Sequence, residues 1–289
     1  MITRPNVKIN LGLDVLRKRP DGYHDIDTLF VPYFRICDTL EIVPGDAWSE
    51  TSALIAARYD HSSQIAQAVS DDGRVMMTVA RREGVDWDPL SDLTVKAYRL
   101  LAADFELGPV KIYLEKNAPV GAGLGGGSAD GAFALRMLSG MFSLGLSDDR
   151  LAEYASRLGS DCAFFVYNVP MTGEGRGEIL RPYALQGFDY GQEGSGFSYR
   201  VEVAVPAGVS VSTAEAYRGI TPAEPSEPLK RRLARPVAEW KDVLKNDFEA
   251  TVFRAHPELA PFKASIYDSG AVYASMSGSG SAMFGIYEV

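Results

Sequence analysis

Apolar and polar positions alternate along several stretches of the chain and predict β-strands there. Residues 7–15 place Val, Ile or Leu at every second position, which indicates a strand with one buried face. A turn with suitably placed Pro and Gly follows at residues 19–22. Residues 27–43 are rich in β-branched and aromatic side chains and carry at least one further strand. Similar patterns predict strands at residues 75–80, 110–115, 199–205, 271–276 and 282–287.

Helical spacing of apolar residues predicts five helices. Ser147 is placed to cap one of them, because its hydroxyl can accept an N–H group of the first turn. The segment 45–91 is polar and harder to assign, and we predict a short helix in it near residues 62–69. Strands and helices mix without strict βαβ alternation, so the sequence predicts an α+β fold. The five helices cover residues 93–105, 129–144, 147–158, 240–255 and 261–268.

Composition and charge exclude several classes of partner. The chain has 289 residues, enough for a large core, and its net charge of -9 argues against a nucleic-acid partner. The densest basic run, residues 230–232 with Arg235, is read as the solvated face of a helix. No apolar run has the length of a signal peptide or a membrane span. Cys37 and Cys162 are too few for a disulfide framework, so we expect a reduced, cytoplasmic protein without a membrane partner.

Glycine is concentrated in one loop between a predicted strand and a predicted helix. Five of the seven residues from Gly121 to Gly127 are glycine. Glycine lets a backbone adopt positive φ and approach a ligand closely, and the N-terminus of the next helix adds partial positive charge. The loop therefore predicts an anion site whose usual occupant is a triphosphate. The alternative is a flexible loop without a ligand; Ser128 either binds a phosphate or Mg²⁺, or caps the helix.

Two common nucleotide motifs do not fit this loop. No Lys-Ser/Thr pair follows the glycines, as a Walker A sequence requires, and the spacing differs from the dinucleotide fingerprint. The loop instead resembles the phosphate-binding motif of the galactokinase–homoserine–mevalonate–phosphomevalonate (GHMP) kinase superfamily. Lys8 and Asn10, followed by Asp-Gly-Tyr-His at residues 21–24, resemble one family within it. That family phosphorylates a cytidine-diphosphate-linked methylerythritol in the non-mevalonate isoprenoid precursor pathway. Residues 158–165 and 275–281 match the same family in order and spacing.

The resemblance implies an ATP-dependent kinase with two α+β lobes and the active site in the cleft between them. Residues 1–165 would form the ATP-binding domain and residues 166–289 the substrate domain. It implies ATP and Mg²⁺ as cofactors, no side chain as a direct metal ligand, and phosphorylation of the substrate's C2 hydroxyl by a monomer or weak homodimer. The alternatives are a homoserine or mevalonate-like kinase, a decarboxylase that phosphorylates transiently, and a non-catalytic nucleotide-binding module.

Two residues receive catalytic roles from the resemblance. Asp161 would act as the base that accepts a hydrogen bond from the acceptor hydroxyl, and Lys8 would neutralise charge on the transferred phosphoryl group. Judged from the residues alone, Asp161 could be a turn residue after a helix, and Lys8 an exposed charge on a strand.

Five residues are implied in substrate binding. Asn10 lies two positions beyond Lys8, so the two side chains leave the same face of a strand, and Asn10 would bind substrate hydroxyls. Tyr23 and His24 suit a pyrimidine, because one ring can stack and the other can form a hydrogen bond. Thr213 would contact the substrate, and Tyr217, one helical turn later, would supply a second aromatic face. The alternative for Tyr217 is packing in the core.

ATP contacts are implied on both sides of the nucleotide. Leu93 and Lys116 lie where the family's adenine-side residues fall, with Asp92 in place of a commoner asparagine. After the loop the family usually has Ser-Asn, whereas this chain has Ala129 and Asp130. That departure weakens a Mg²⁺ role for a second hydroxyl and leaves Asp130 as a candidate indirect ligand. The loop residues assigned to ATP are Pro119, Val120, Gly121, Ala122, Gly123, Leu124, Gly125, Gly126, Gly127 and Ser128.

Overall fold

The computed structural model describes residues 1–59 and 63–289. Its strands are β1 Ile2–Thr3, β2 Asn6–Lys18, β3 His24–Cys37, β4 Thr39–Pro44, β5 Ile65–Val69, β6 Val75–Arg81, β7 Val110–Lys116, β8 Met171–Gly175, β9 Ile179–Pro182, β10 Phe188–Asp189, β11 Tyr199–Ala204, β12 Tyr273–Met276 and β13 Met283–Glu288. Its α-helices are α1 Glu50–Arg58, α2 Leu93–Ala102, α3 Gly126–Met141, α4 Asp148–Leu158, α5 Cys162–Tyr167, α6 Thr213–Arg218, α7 Leu229–Leu233, α8 Trp240–Val243, α9 Phe248–Ala255 and α10 Leu259–Asp268.

The chain divides into two compact units. The first contains Met1–Val7, Ile36–Ala118 and Gly126–Asn168, and the second contains Lys8–Arg35, Pro119–Gly125 and Val169–Val289. Each unit is therefore assembled from separate stretches of chain. Both units contain sheets and helices, which confirms the predicted α+β class. No helix in the described part of the chain is long and apolar enough to cross a membrane.

The first unit is built on a five-stranded sheet in the order β1-β4-β7-β6-β5. β7 pairs antiparallel with β4 and parallel with β6, so it lies inside the sheet, and its apolar side chains are buried. Helix α3 packs against α2, α4, α5 and strand β4. The start of α3 lies next to the end of β7, since a Cβ at Gly126 would lie 3.6 Å from Lys116 Nζ.

The second unit contains two four-stranded sheets, in the orders β2-β3-β8-β9 and β10-β11-β13-β12. Apolar side chains of α9, α10, β12 and β13 form its main core together with Leu13 and Val15 of β2. The burial of this core is what holds the tail of the chain on the strand that carries Lys8.

Most predicted elements are confirmed, and two are wrong. Residues 65–69 form strand β5 and not a helix, because their backbone pairs antiparallel with β6; Ser62, in the same prediction, lies outside the described residues. The helix predicted at 240–255 is interrupted between α8 and α9. There Leu13 donates its N–H to the Lys245 carbonyl and accepts from the Asp247 N–H, both at 2.9 Å. A residue has a single backbone N–H group. Because the N–H of Asp247 donates to Leu13 of β2, it is not available for a helical hydrogen bond.

A half-buried carboxyl group in the second unit, that of Asp27, has an altered pKa. Asp14 of β2 pairs with Arg232 of α7, and both side chains are buried. Asp27 of β3 lies near this pair. Its burial, aided by the charges of Asp14 and Glu174, raises the pKa of Asp27 to about 6. The Arg232 charge and the N–H of Leu229 act in the opposite direction but do not cancel the effect.

Candidate active site

The glycine loop contributes to both units: Gly121–Gly125 belong to the second unit, and Gly126 and Gly127 begin α3 in the first. Gly123 has φ of 76°, and a Cβ there would lie 2.2 Å from the Ser277 carbonyl oxygen, so only glycine fits. Helix α3 begins at Gly126, and the first N–H groups of any helix have no partner within it. Apart from its own helical turn, a Cβ at Gly127 would meet no atom of the described residues within 4 Å. The first turn of α3 is therefore open to an anion.

Ser128 is the third residue of α3. The N-cap alternative is therefore wrong, because the N-cap residue precedes the helix. The Ser128 hydroxyl lies near the Cys162 thiol; burial raises the pKa of Cys162 to about 12, and the serine opposes that shift. Cys162 is thus a buried neutral thiol. A phosphate contact of Ser128 stays a prediction.

Lys8 is buried in the second unit, where its ammonium contacts the glycine loop. The residue is 3% exposed, so the alternative of an exposed strand charge is wrong. Its Nζ donates to Asn10 Oδ1 and, at 3.1 Å, to the carbonyl of Gly123. Its backbone N–H donates to the Leu124 carbonyl at 2.9 Å, and Nζ lies 5.6 Å from the centroid of the Phe30 ring. The strand thus places a fixed positive charge directly on the loop.

Asn10 shares a strand face with Lys8, as the spacing predicts. Its amide Nδ2 donates to Thr28 Oγ1 at 3.1 Å, and that hydroxyl donates to the Gly12 carbonyl at 2.6 Å. These bonds fix the orientation of the Asn10 amide, so its oxygen faces the Lys8 ammonium.

The turn at residues 277–281 between β12 and β13, here called the tail turn, lies beside the glycine loop. Ser277 Oγ donates to the Gly123 carbonyl at 3.0 Å, and the Ala282 N–H donates to the Ala122 carbonyl at 3.0 Å. A Cβ at Gly278 would lie 3.3 Å from Lys8 Nζ. The tail turn therefore packs directly on the loop and on the lysine.

Sequence reasoning missed Asn246, which supports the tail turn. Its Nδ2 donates to the carbonyls of Met276 and Gly278, at 2.7 and 2.9 Å. Nothing in the local sequence marks this role, because residues 240–255 have apolar positions at helical spacing. Thr28, which orients Asn10, was missed for a similar reason, since one threonine in a strand is ordinary.

The predicted pyrimidine-binding rings are partly brought together. His24 stacks on Tyr217 with ring centroids 4.7 Å apart and planes 20° apart, and Tyr217 also contacts the edge of Phe248 at 4.7 Å. Tyr217 is half-buried, so it both packs on the core and presents a ring. Burial, followed by the charge of Lys18, lowers the pKa of His24 and favours a neutral imidazole.

An open depression of about 490 Å³ lies at this stack. Two of the side chains that line it, Lys18 and Arg218, carry positive charge. Aromatic rings beside cations suit an anionic ligand that contains a base. Its lining residues are Lys18, Gly22, His24, Ala214, Tyr217, Arg218, Ile220 and Pro222.

Tyr23 and Thr213 contact residues outside the stack of His24 and Tyr217. The Tyr23 residue is 56% exposed, and the guanidinium of Arg176 lies 4.9 Å from its ring centroid. Thr213 is the first residue of α6, and its hydroxyl lies 3.3 Å from that of Ser279 in the tail turn. Adjacent residues Tyr23 and His24 therefore use different partners.

Asp161 and Leu93 lie at helix starts in the first unit. Asp161 directly precedes α5, is half-buried and does not cap that helix with its side chain. Leu93 is the first residue of α2, which Asp92 caps by accepting the Thr94 N–H at 2.9 Å. The catalytic and adenine-side roles of Asp161 and Leu93 stay predictions.

Lys116 is buried between two carboxylates, those of Asp38 and Asp130. The Lys116 ammonium donates a hydrogen bond to each of these carboxylates. The Asp130 side chain is likewise committed to Lys116. A direct ATP contact by Lys116 and an indirect Mg²⁺ role for Asp130 stay predictions.

Known proteins resemble this chain along its whole length. The family model described as GHMP kinases N terminal domain matches residues 92–168, and GHMP kinases C terminal matches residues 230–288. The 4-diphosphocytidyl-2-C-methyl-D-erythritol kinase of Bacteroides thetaiotaomicron is 43% identical over 288 residues, covering 100% of this chain and 92% of the relative. The chain belongs to the 4-diphosphocytidyl-2-C-methyl-D-erythritol kinase family. The enzyme of that name from Parabacteroides distasonis is 40% identical, with coverage of 100% and 92%.

Solved structures agree with this family. A crystal structure of 4-(cytidine 5'-diphospho)-2C-methyl-D-erythritol kinase has a TM-score of 0.70 and 29% identity, covering 99% of this chain and 89% of that one. The Methanococcus jannaschii mevalonate kinase has a TM-score of 0.61 and 12% identity, covering 100% and 90%, and shares the fold alone. The resemblance read from the sequence is thus confirmed at the level of the kinase family.

Proposed function

We propose that this chain transfers the γ-phosphoryl group of MgATP to the C2 hydroxyl of 4-diphosphocytidyl-2-C-methyl-D-erythritol. The observation that carries the kinase chemistry is the buried Lys8 ammonium, hydrogen-bonded to Gly123 of the glycine loop. A fixed positive charge there suits the transferred phosphoryl group. The acceptor follows from the relatives of that name, which match this chain over its full length.

The roles of the catalytic residues form part of the proposal. Phosphoryl transfer needs positioning and charge stabilisation more than covalent chemistry. Lys8, oriented by Asn10, would neutralise charge on the phosphoryl oxygens. Asp161 would accept a hydrogen bond from the acceptor hydroxyl and take its proton. N–H groups of the first turn of α3, with Ser128, would bind the phosphates. Mg²⁺ arrives as part of the MgATP substrate, since it commonly binds through substrate phosphates.

The acceptor end of the site rests on the aromatic residues. Tyr217 and Tyr23 would offer faces to the cytosine, and the neutral imidazole of His24 would hydrogen-bond to it. Lys18 and Arg218 line the same depression as His24 and Tyr217, which suits a diphosphate.

Three further expectations belong to this proposal. The chain would divide near residue 165 into an ATP-binding and a substrate domain. It would work as a monomer or weak homodimer. It would act in the cytoplasm.

A coupled ADP-release assay tests the proposal with Mg-ATP and four acceptors: the cytidyl compound, homoserine, mevalonate and phosphomevalonate. ADP release that depends on the cytidyl compound alone is the expected result. Turnover on another acceptor would remove the cytosine assignment and keep the kinase. A chain that binds ATP but turns over none of the four would be a non-catalytic nucleotide-binding module.

A further inference from the structure

Three buried charged side chains meet in the first unit. Lys116 is the last residue of β7, Asp38 lies between β3 and β4, and Asp130 lies in α3. Their side chains are 5%, 1% and 1% exposed. Lys116 Nζ donates to Asp38 Oδ2 and, at 2.6 Å, to Asp130 Oδ2. We call these three residues the Lys116 triad.

The triad joins the chain that leaves β7 to the first turn of α3. Asp38 Oδ1 accepts the N–H groups of Asn117 and Ala118, at 2.6 and 2.7 Å. Those two residues immediately follow β7. A Cβ at Gly126, the first residue of α3, would lie 3.6 Å from both Asp38 Oδ2 and Lys116 Nζ. The triad therefore lies directly beneath the first turn of α3.

The charge balance of the triad makes Lys116 indispensable to it. Two carboxyl groups share one ammonium in a buried place, so burial raises the pKa of Asp130 well above its ordinary value. Burial lowers the pKa of Lys116, but the negative charges of Asp130 and Asp38 have the larger combined effect and raise that pKa above its ordinary value. Asp130 Oδ1 has no hydrogen-bond partner among residues 1–59 and 63–289. Loss of the ammonium would leave both carboxyl groups uncompensated.

We propose that Lys116 is a positioning residue: through Asp38 and Asp130 its ammonium holds the first turn of α3 in the geometry that binds the ATP phosphates, and its side chain does not touch the nucleotide. The inference rests on the proposed function, because it assumes that ATP binds at this turn. It assigns an indirect role where the sequence resemblance implies a direct ATP contact. Its physical basis is that the Lys116 ammonium is buried and that two of its three N–H groups already bond to the carboxylates of Asp38 and Asp130.

A rescue experiment separates the two roles. Lys116→Met leaves Asp38 and Asp130 without their ammonium and is expected to weaken ATP affinity, measured by titration calorimetry, at least tenfold. In the double variant Lys116→Met/Asp38→Asn, the amide oxygen still accepts the N–H groups of Asn117 and Ala118. Asp130 is then the one carboxyl group of the triad that remains, and its raised pKa favours the neutral acid. We expect the double variant to recover most of the lost affinity. A double variant as weak as Lys116→Met would overturn the proposal, because it would mean that the ammonium itself binds ATP.

A control and a second readout complete the test. Lys111 lies on the same strand and donates to the Ala47 carbonyl at 3.1 Å, so Lys111→Met, which removes that bond, should bind ATP like the wild type. Hydrogen exchange without ATP should be faster at residues 126–128 in Lys116→Met than in Lys111→Met. If Lys116→Met does not fold, the double variant alone carries the test: ATP affinity near that of the wild type is expected, and a loss of about tenfold or more would overturn the proposal. Unchanged exchange and affinity in a folded Lys116→Met would also overturn it. A wild-type chain that fails to bind ATP would instead overturn the proposed function.

Discussion

Gly127, the second residue of α3, is a position where one added methyl group should separate stability from ATP binding. Gly127→Ala places a Cβ where, among residues 1–59 and 63–289, no atom beyond its own turn of α3 lies within 4 Å, so it creates no clash with them. Alanine is favoured over glycine in a helix by about 0.5–1 kcal/mol. The variant should therefore be at least as stable as the wild type.

The same methyl group should obstruct the phosphates. A phosphate oxygen that accepts an N–H of this turn must come within roughly 3 Å of the nitrogen. The added Cβ displaces it, and each hydrogen bond to a charged group that is lost costs about 1.5–3 kcal/mol. Because ~1.4 kcal/mol corresponds to a factor of ten, ATP affinity should fall roughly 10- to 150-fold.

Gly140→Ala is the matched control, since it lies on the same helix. A Cβ there would lie 3.8 Å from Met1 Cε, an ordinary van der Waals distance. Titration calorimetry with MgATP and urea unfolding should show two variants of similar stability, of which only Gly127→Ala binds ATP weakly. Equal and undiminished ATP affinity in both variants would refute the assignment of the phosphates to the first turn of α3.

Three other substitutions test separate parts of the account. Asp161→Asn should lower turnover by about 10²-fold or more with ATP affinity nearly intact; wild-type turnover would remove Asp161 from the mechanism. Tyr23→Ala should weaken binding of the cytidyl substrate by about 1–3 kcal/mol in calorimetry, and unchanged affinity would exclude the stacking role. Folding raises the pKa of Asp27 from 3.8 to about 6, so the ionised carboxylate destabilises the folded state. The destabilisation is complete above pH 6 and absent below the unfolded-state pKa of 3.8. Asp27→Asn should therefore raise the unfolding free energy by about 1–3 kcal/mol at pH 7 and leave it unchanged near pH 3; an equal effect at both pH values would contradict this cause.

Local sequence patterns were sufficient to predict features that lie within a single strand or loop. The alternation in residues 7–15 predicts β2, and because side chains two apart share a strand face, it also predicts that Lys8 and Asn10 lie together. The glycine loop is likewise a local feature, since a run of glycines marks a backbone that can adopt the positive φ found at Gly123.

Other features depend on partners far away in sequence and could not be predicted. Residues 65–69 form a strand because β6 offers an edge to pair with. The helix at 240–255 breaks because β2 takes the backbone bonds of residues 245 and 247. The burial of Lys116 depends on Asp38, whose role no local pattern marks. In each case a tertiary contact overrides the local preference.

The most direct test of the central claim is to identify the product by phosphorus NMR after incubation of the chain with MgATP and 4-diphosphocytidyl-2-C-methyl-D-erythritol. Transfer of the γ-phosphoryl group to the C2 hydroxyl predicts one new phosphomonoester signal, coupled to the methylerythritol carbon skeleton at C2, in amounts equal to the ADP formed. ADP formed together with free inorganic phosphate, and no new phosphomonoester on the cytidyl compound, would contradict it.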